Sequence, residues 1–129
     1  MADINFWAVL MAGVAAFFAG FGYYAVLGDV LTRLSPAPRI ERPTAQVVPF
    51  ELGKNLVIAA VTAGLVANMD LTGWTDGALL GLALWIAFPV VVLASSVFHE
   101  NVPVKLAALH AGDWLAKLLI IAITVAVWT

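Results

Sequence analysis

The chain has 129 residues, of which 64% are hydrophobic and only 11% charged, with a net charge of −2 and a mean hydropathy of +1.03. Soluble domains carry about 25% charged residues, so this chain lacks the polar surface water would need, and its solvent is a lipid bilayer. Cysteine is absent, which excludes disulfides and thiol chemistry, and no basic run is long enough for a nucleic-acid footprint.

A membrane-spanning helix needs about 20 mostly apolar residues. The first such segment is Ile4–Leu27. Its leader, Met1–Asn5, carries Asp3 and no Lys or Arg, and the apolar stretch exceeds the roughly 7–15 residues of a signal core. It is expected to be retained. Residues 31–49 follow, with Pro36, Pro38, Pro43 and Pro49. Proline lacks a backbone donor and disfavours helix in the residue before it, so an extended loop is expected, with a short interfacial turn around Ile40 as the alternative. The second span is Phe50–Met69. A tight turn, Asp70–Asp76, leads to the third, Gly77–Phe98, where Pro89 should bend the helix. A second tight turn, His99–Pro103, leads to the fourth, Val104–Trp128. Such runs are too long and unalternating for barrel strands. The expected fold is all-α, a single-domain integral membrane four-helix bundle.

Lys and Arg near span ends set orientation. Arg33, Arg39 and Arg42 lie in loop 1, Lys54 just inside the second span, and Lys105 beside loop 3. Loops 1 and 3 are therefore expected in the cytoplasm and both termini on the outer side. Trp7, Trp74 and Trp128 then fall at the outer interface, which suits indoles. Tyr23 and Tyr24 approach the inner one.

The fourth span carries the most informative residues. His110, Asp113, Trp114 and Lys117 share one helical face. Lys117 lies 13 residues beyond Val104, about 20 Å into a core of about 30 Å. Eleven Leu, Ile and Val residues favour insertion by roughly 5 kcal/mol, while two lone ions near the centre cost about 5–7. The charges must therefore be paired, neutralised, hydrated or buried. Asp before Lys at i,i+4 favours direct pairing. A structural lock between helices is the leading reading, ahead of a proton- or ion-responsive site and a docking face for another subunit. Surrounding Leu109, Leu118 and Ile120, and a first span with no ionisable group but the Tyr23 and Tyr24 phenols, favour a dry, permanently paired site.

A second polar set is expected near the cytoplasmic end: Glu51 and Asn55 on the second span, Ser95, Ser96, His99 and Glu100 around the end of the third, and His110 on the fourth. Histidine titrates near neutrality, which would suit a proton entry route. The plainer reading makes His99 and Glu100 solvated turn residues and has Ser95 and Ser96 bond back to helix carbonyls. Their spacing fits no zinc template, so no metal is expected. Small residues recur as Gly77/Gly81, Ala16/Gly20, Ala60/Gly64 and Ala108/Gly112. Such pairs let membrane helices approach closely, within the bundle or between copies.

Several short stretches carry a family resemblance. Asn5-Phe6-Trp7-Ala8-Val9-Leu10 and Gly20-Phe21-Gly22-Tyr23-Tyr24 mark the first span. Gly73-Trp74, Gly77-Ala78-Leu79-Leu80-Gly81 and Ser95-Ser96-Val97-Phe98 mark the third, and His110-Ala111-Gly112 with Trp114 the fourth. In order and spacing they resemble the small bacterial membrane proteins called domain of unknown function 1761. The resemblance covers spans one, three and four and is weakest over loop 1 and span two. It implies four helices and supplies no activity. Asp113 stands where it implies an aromatic residue, and Lys117 where it implies a small or apolar one.

No nucleophile–base–orienter set, glycine loop or cofactor box is present. No enzyme activity, catalytic residue or cofactor is expected. The leading functional reading is an accessory or assembly subunit of a bacterial cytoplasmic membrane, partnered by lipids and by itself or another integral membrane subunit. The alternative is a small oligomeric ion- or proton-coupled transporter or channel using Asp113 and Lys117.

Overall fold

The computed structural model describes residues 4–34 and 43–128, with backbone alone for residues 31–32. The elements are α1 (Phe6–Leu34), α2 (Thr44–Asn68), α3 (Gly73–Trp85), a π-helical turn (Ile86–Val90), α4 (Val91–Glu100) and α5 (Val104–Val127). Together α3, the π turn and α4 make one continuous span, Gly73–Glu100, so four helical spans are long and apolar enough to cross a membrane. No strand occurs among the described residues.

Pro89 lies inside the π turn. A proline cannot donate to the carbonyl four residues back, and the wider turn absorbs that mismatch without ending the helix. The expected proline loop is shorter than its composition suggested. Residues 31–34 continue α1, and α2 starts at Thr44 rather than Phe50. Pro43 supplies the carbonyl that receives the amides of Gln46 and Val47, which nucleates the helix ahead of the apolar run. Pro49 sits within α2 and forgoes one backbone bond. Arg39, Arg42 and the turn considered around Ile40 lie outside the described residues.

The short turns close tightly. Asp70 and Asn101 take left-handed conformations, with φ of 53° and 55°, which short polar side chains tolerate. Gly73 has φ +84°, a value open to glycine. The Asp76 carboxylate accepts the Thr72 amide at 3.1 Å, and an acidic group there complements the N-terminal dipole. Asn5 Nδ2 donates to the Trp128 carbonyl at 3.2 Å, so both ends of the described chain lie at the same end of the molecule. Trp7, Trp74 and Trp128 are exposed.

The last span, α5, is central. It packs against α1, α2 and α3, and α1 also packs on α2; the third span leans on α5 rather than on α1 or α2. The arrangement is three elements around one, and α5 has the largest buried share of any span. That position follows from its charges, since a helix carrying two ions must turn them away from lipid. On α1 the facing stripe is Ala8, Ala12 and Ala16, all buried, repeating every fourth residue along one helical face. Ala59, Ala63 and Val66 supply α2, and Ile121, Val125 and Ala126 supply α5.

Gly77 and Gly81 set the third contact. A Cβ on Gly77 would lie 2.7 Å from both the Ala122 carbonyl oxygen and Ile123 Cα, and one on Gly81 2.9 Å from the Leu118 carbonyl oxygen. These glycines are used within the molecule, where α3 lies backbone to backbone on α5. Ala16 and Gly20 are both buried, whereas Ala60/Gly64 and Ala108/Gly112 are only half used. Ala60 and Ala108 are exposed, because the buried phase of α2 runs through Ala59 and Ala63, and Gly112 serves a tyrosine instead.

Candidate functional site

The Asp113–Lys117 pair forms directly, with Lys117 Nζ 2.9 Å from Asp113 Oδ2 and both side chains only 4% exposed. One helical turn brings the two groups into register. Room for them comes from α1. A Cβ on Gly20 would lie 2.7 Å from Lys117 Cε and 3.4 Å from Asp113 Oδ1. Gly20 thus continues the Ala8–Ala12–Ala16 stripe as a notch that admits the ion pair. Sequence spacing relates Gly20 to Ala16, but it does not reveal that Lys117 fills the gap.

Two tyrosines tie α1 to α5 beside the pair. Tyr23 Oη donates to the Leu109 carbonyl at 2.5 Å. A Cβ on Gly112 would lie 2.5 Å from that hydroxyl, so Gly112 is the seat of the Tyr23 ring. Tyr24 Oη lies 2.7 Å from His110 Nδ1 and within electrostatic reach of Asp113. From the other side, Trp85 Nε1 donates to the Ala111 carbonyl at 2.8 Å. Residues 109–111 of α5 are therefore held by α1 and α3 together.

A cavity of about 530 Å³ opens beside these residues, between α1, α2 and α5. Tyr24, Glu51, Lys54, Asn55, His110, Asp113, Trp114 and Lys117 all line it. Its outer ion pair is Lys54 Nζ to Glu51 Oε2 at 3.0 Å, with side chains 31% and 33% exposed. Its inner pair is Lys117 to Asp113. Between them stands the Trp114 ring, with Lys54 Nζ and Lys117 Nζ each 5.6 Å from its centroid, within cation–π range. The site grades from a half-exposed ion pair to a buried one across a single indole.

Two oxygens here lack partners. Asn55 Nδ2 donates to the Glu51 carbonyl at 2.9 Å, but Asn55 Oδ1 and Asp113 Oδ1 are buried without a hydrogen bond. A buried acceptor left unmade costs about 1–3 kcal/mol, and an ionised one more, so such atoms mark places where a donor would be stabilising.

Of the residues singled out in the sequence, Glu51, Asn55, His110, Asp113 and Lys117 meet at this one cavity. Ser95, Ser96, His99 and Glu100 do not line it. Ser96 Oγ donates to the Val92 carbonyl at 3.2 Å, and His99 is exposed against the edge of Phe98 at 4.8 Å between ring centroids. These four sit on the third span, which packs on α5 away from α1 and α2. Gly20, Tyr23, Tyr24 and Lys54 are the site residues that spacing within one helix could not assign. No group of three His, Asp or Glu side chains is placed to hold a metal among the described residues.

No curated protein and no solved structure matches the chain. A family model matches residues 7–126, nearly the whole chain and every element described above. The chain belongs to the family described as protein of unknown function, DUF1761.

Proposed function

We propose that this chain is a non-enzymatic protein of the bacterial cytoplasmic membrane that binds a small polar solute beside Asp113 and Lys117, as a compact transporter-type unit working as a homo-oligomer. One observation carries the reading: the inner ion pair lies on the wall of a solute-sized cavity that the half-exposed outer pair also lines. Ligand sites occupy about 300–1,000 Å³ and combine apolar walls with a few polar groups, as this one does. A pair serving only as a lock needs no cavity beside it. Asp113 and Lys117 would be the inner contacts, Glu51 and Lys54 the more exposed ones, and Tyr24 and His110 the groups that orient the wall. Mild extraction from native membrane followed by native mass spectrometry tests this reading. The expected result is a small molecule that stays bound to the wild type and is lost from Ala25→Trp, which fills the exposed rim.

The accessory reading is supported by a different feature. Between α2 and the third span lies an apolar groove of about 450 Å³, floored by Trp114 and Leu118 of α5. A helix of another subunit would fit where the third span stands off from α2. A stable large partner in the same extraction, with an empty cavity, would favour this role over solute binding.

A further inference from the structure

The polar groups of the cavity specify more than polarity, and their sum defines a ligand class that rests on the solute-binding reading. Charge comes first. The walls carry Glu51 and Asp113 against Lys54 and Lys117, so the lining is balanced and a ligand with net charge would leave one group uncompensated in a low-dielectric site. Hydrogen-bond capacity comes next. Asn55, 1% exposed, and Asp113, 3% exposed, each hold an oxygen without a partner, and both residues line the cavity. These oxygens can only accept, so the ligand must donate. Lys117 is the converse: an ammonium has three donors, and the bond to Asp113 uses one. It offers N–H to an anionic acceptor on the same ligand. Shape comes last. Phe21, Ala25 and Val47 at the rim are exposed, so the cavity opens on an apolar surface between α1 and α2.

We infer that the cavity takes a zwitterion, a primary ammonium next to an anionic group, with the ammonium donating to Asn55 Oδ1 and Asp113 Oδ1 and the anionic group accepting from Lys117. Free glycerophosphoethanolamine, a phosphodiester zwitterion with no net charge, has this chemistry, and so does the headgroup of an ethanolamine phospholipid entering sideways through the rim. Recognition through N–H donors differs from recognition by an aromatic cage. A cage over Trp114 and Tyr24 would accept a quaternary ammonium, whereas two unpartnered oxygens need N–H groups that a trimethylated nitrogen lacks.

Four probes test this on the full-length protein in mild detergent, with affinity read by native mass spectrometry: glycerophosphoethanolamine, glycerophosphocholine, and the lysophospholipids bearing each headgroup. The ethanolamine forms are expected to bind at least ~10-fold tighter than their choline partners, as losing hydrogen bonds between charged groups implies. Binding of the lipid form alone identifies a headgroup site, and binding of the free form identifies a soluble ligand; either supports the class. Asn55→Leu should weaken the ethanolamine forms ~10-fold while leaving the choline forms unchanged. Ala25→Trp, a rim change that leaves the interior intact, should abolish binding. Choline forms that bind equally well, and are lost in Ala25→Trp, would overturn the primary-ammonium class while leaving solute binding standing. Absence of binding by any probe, or ethanolamine binding that Ala25→Trp leaves unchanged, would overturn the inference; a cavity that holds no small molecule from native membrane would remove the solute-binding reading as well.

Discussion

Replacing Lys117 by Met removes the cation and keeps the length of the side chain. Asp113 Oδ2 then loses its ammonium at 2.9 Å, and Oδ1 has no hydrogen bond to begin with. Breaking a buried pair by removing one partner costs about 3–5 kcal/mol. Lys117→Met is therefore expected to lower stability by about 3–5 kcal/mol, a factor of roughly 150–5,000 in the folding equilibrium. The change adds no bulk beside Gly20, where the gap is already filled by Lys117 Cε. Combining it with Asp113→Val should return stability to within about 1 kcal/mol of the wild type, because removing a buried pair altogether is often neutral or favourable. The assay is reversible unfolding in mixed micelles, with both singles and the double change read as a cycle. A double change as damaging as the sum of the singles would show that the two charges are not coupled, and the argument from pairing would fail.

Two further outcomes follow from the packing and a third from the distribution of Lys and Arg. Gly77→Ala would drive a Cβ to 2.7 Å from α5 backbone atoms, and overpacking of about 1–3 kcal/mol should exceed the gain of about 1 kcal/mol in helix propensity; Gly22→Ala, whose Cβ meets nothing within 4 Å, should instead stabilise slightly in the same unfolding assay, and the reverse order would refute the α3–α5 contact. Gly20→Ala is expected to displace Lys117 and weaken solute retention in native mass spectrometry more than it weakens folding; an unchanged bound fraction would detach the notch from the site. Reporter fusions at Thr129 and in loop 1 should place the C-terminus outside and Arg39 inside the cell, and a cytoplasmic C-terminus would invert the assignment of the cavity mouth.

Much of the architecture was legible because lipid imposes it. Length and hydropathy mark four spans, and only a helix satisfies its own backbone within one span. The Asp113–Lys117 bond was legible because both residues lie on one helix, where i,i+4 spacing fixes their distance. Boundaries were harder: the helix from Thr44 begins on a proline carbonyl ahead of any apolar signal. Contacts between spans were legible only in part: small residues marked Gly77, Gly81, Ala16 and Gly20 for close approach without naming what they would meet. A span apolar on every side gives no phase, so Ala59 and Ala60 look alike although only Ala59 is buried. The same blindness hides Gly20 opposite Lys117 and Tyr24 beside His110, and it grouped His99 and Glu100 with a site they do not line.

The central claim is that the region beside the ion pair is a cavity that water and a solute can enter from the loop 1 side. The chain contains no cysteine, so single-cysteine variants report without background. Val48→Cys lies on the cavity wall, and Val57→Cys on the exposed apolar groove. Maleimides react with the thiolate, which forms only where water reaches the sulfur. A membrane-impermeant maleimide applied to inside-out vesicles should label Val48→Cys and spare Val57→Cys, and zwitterionic ligand should slow the labelling. Val48→Cys as inert as Val57→Cys would mean that the cavity is dry, and the account of a solute site would be contradicted.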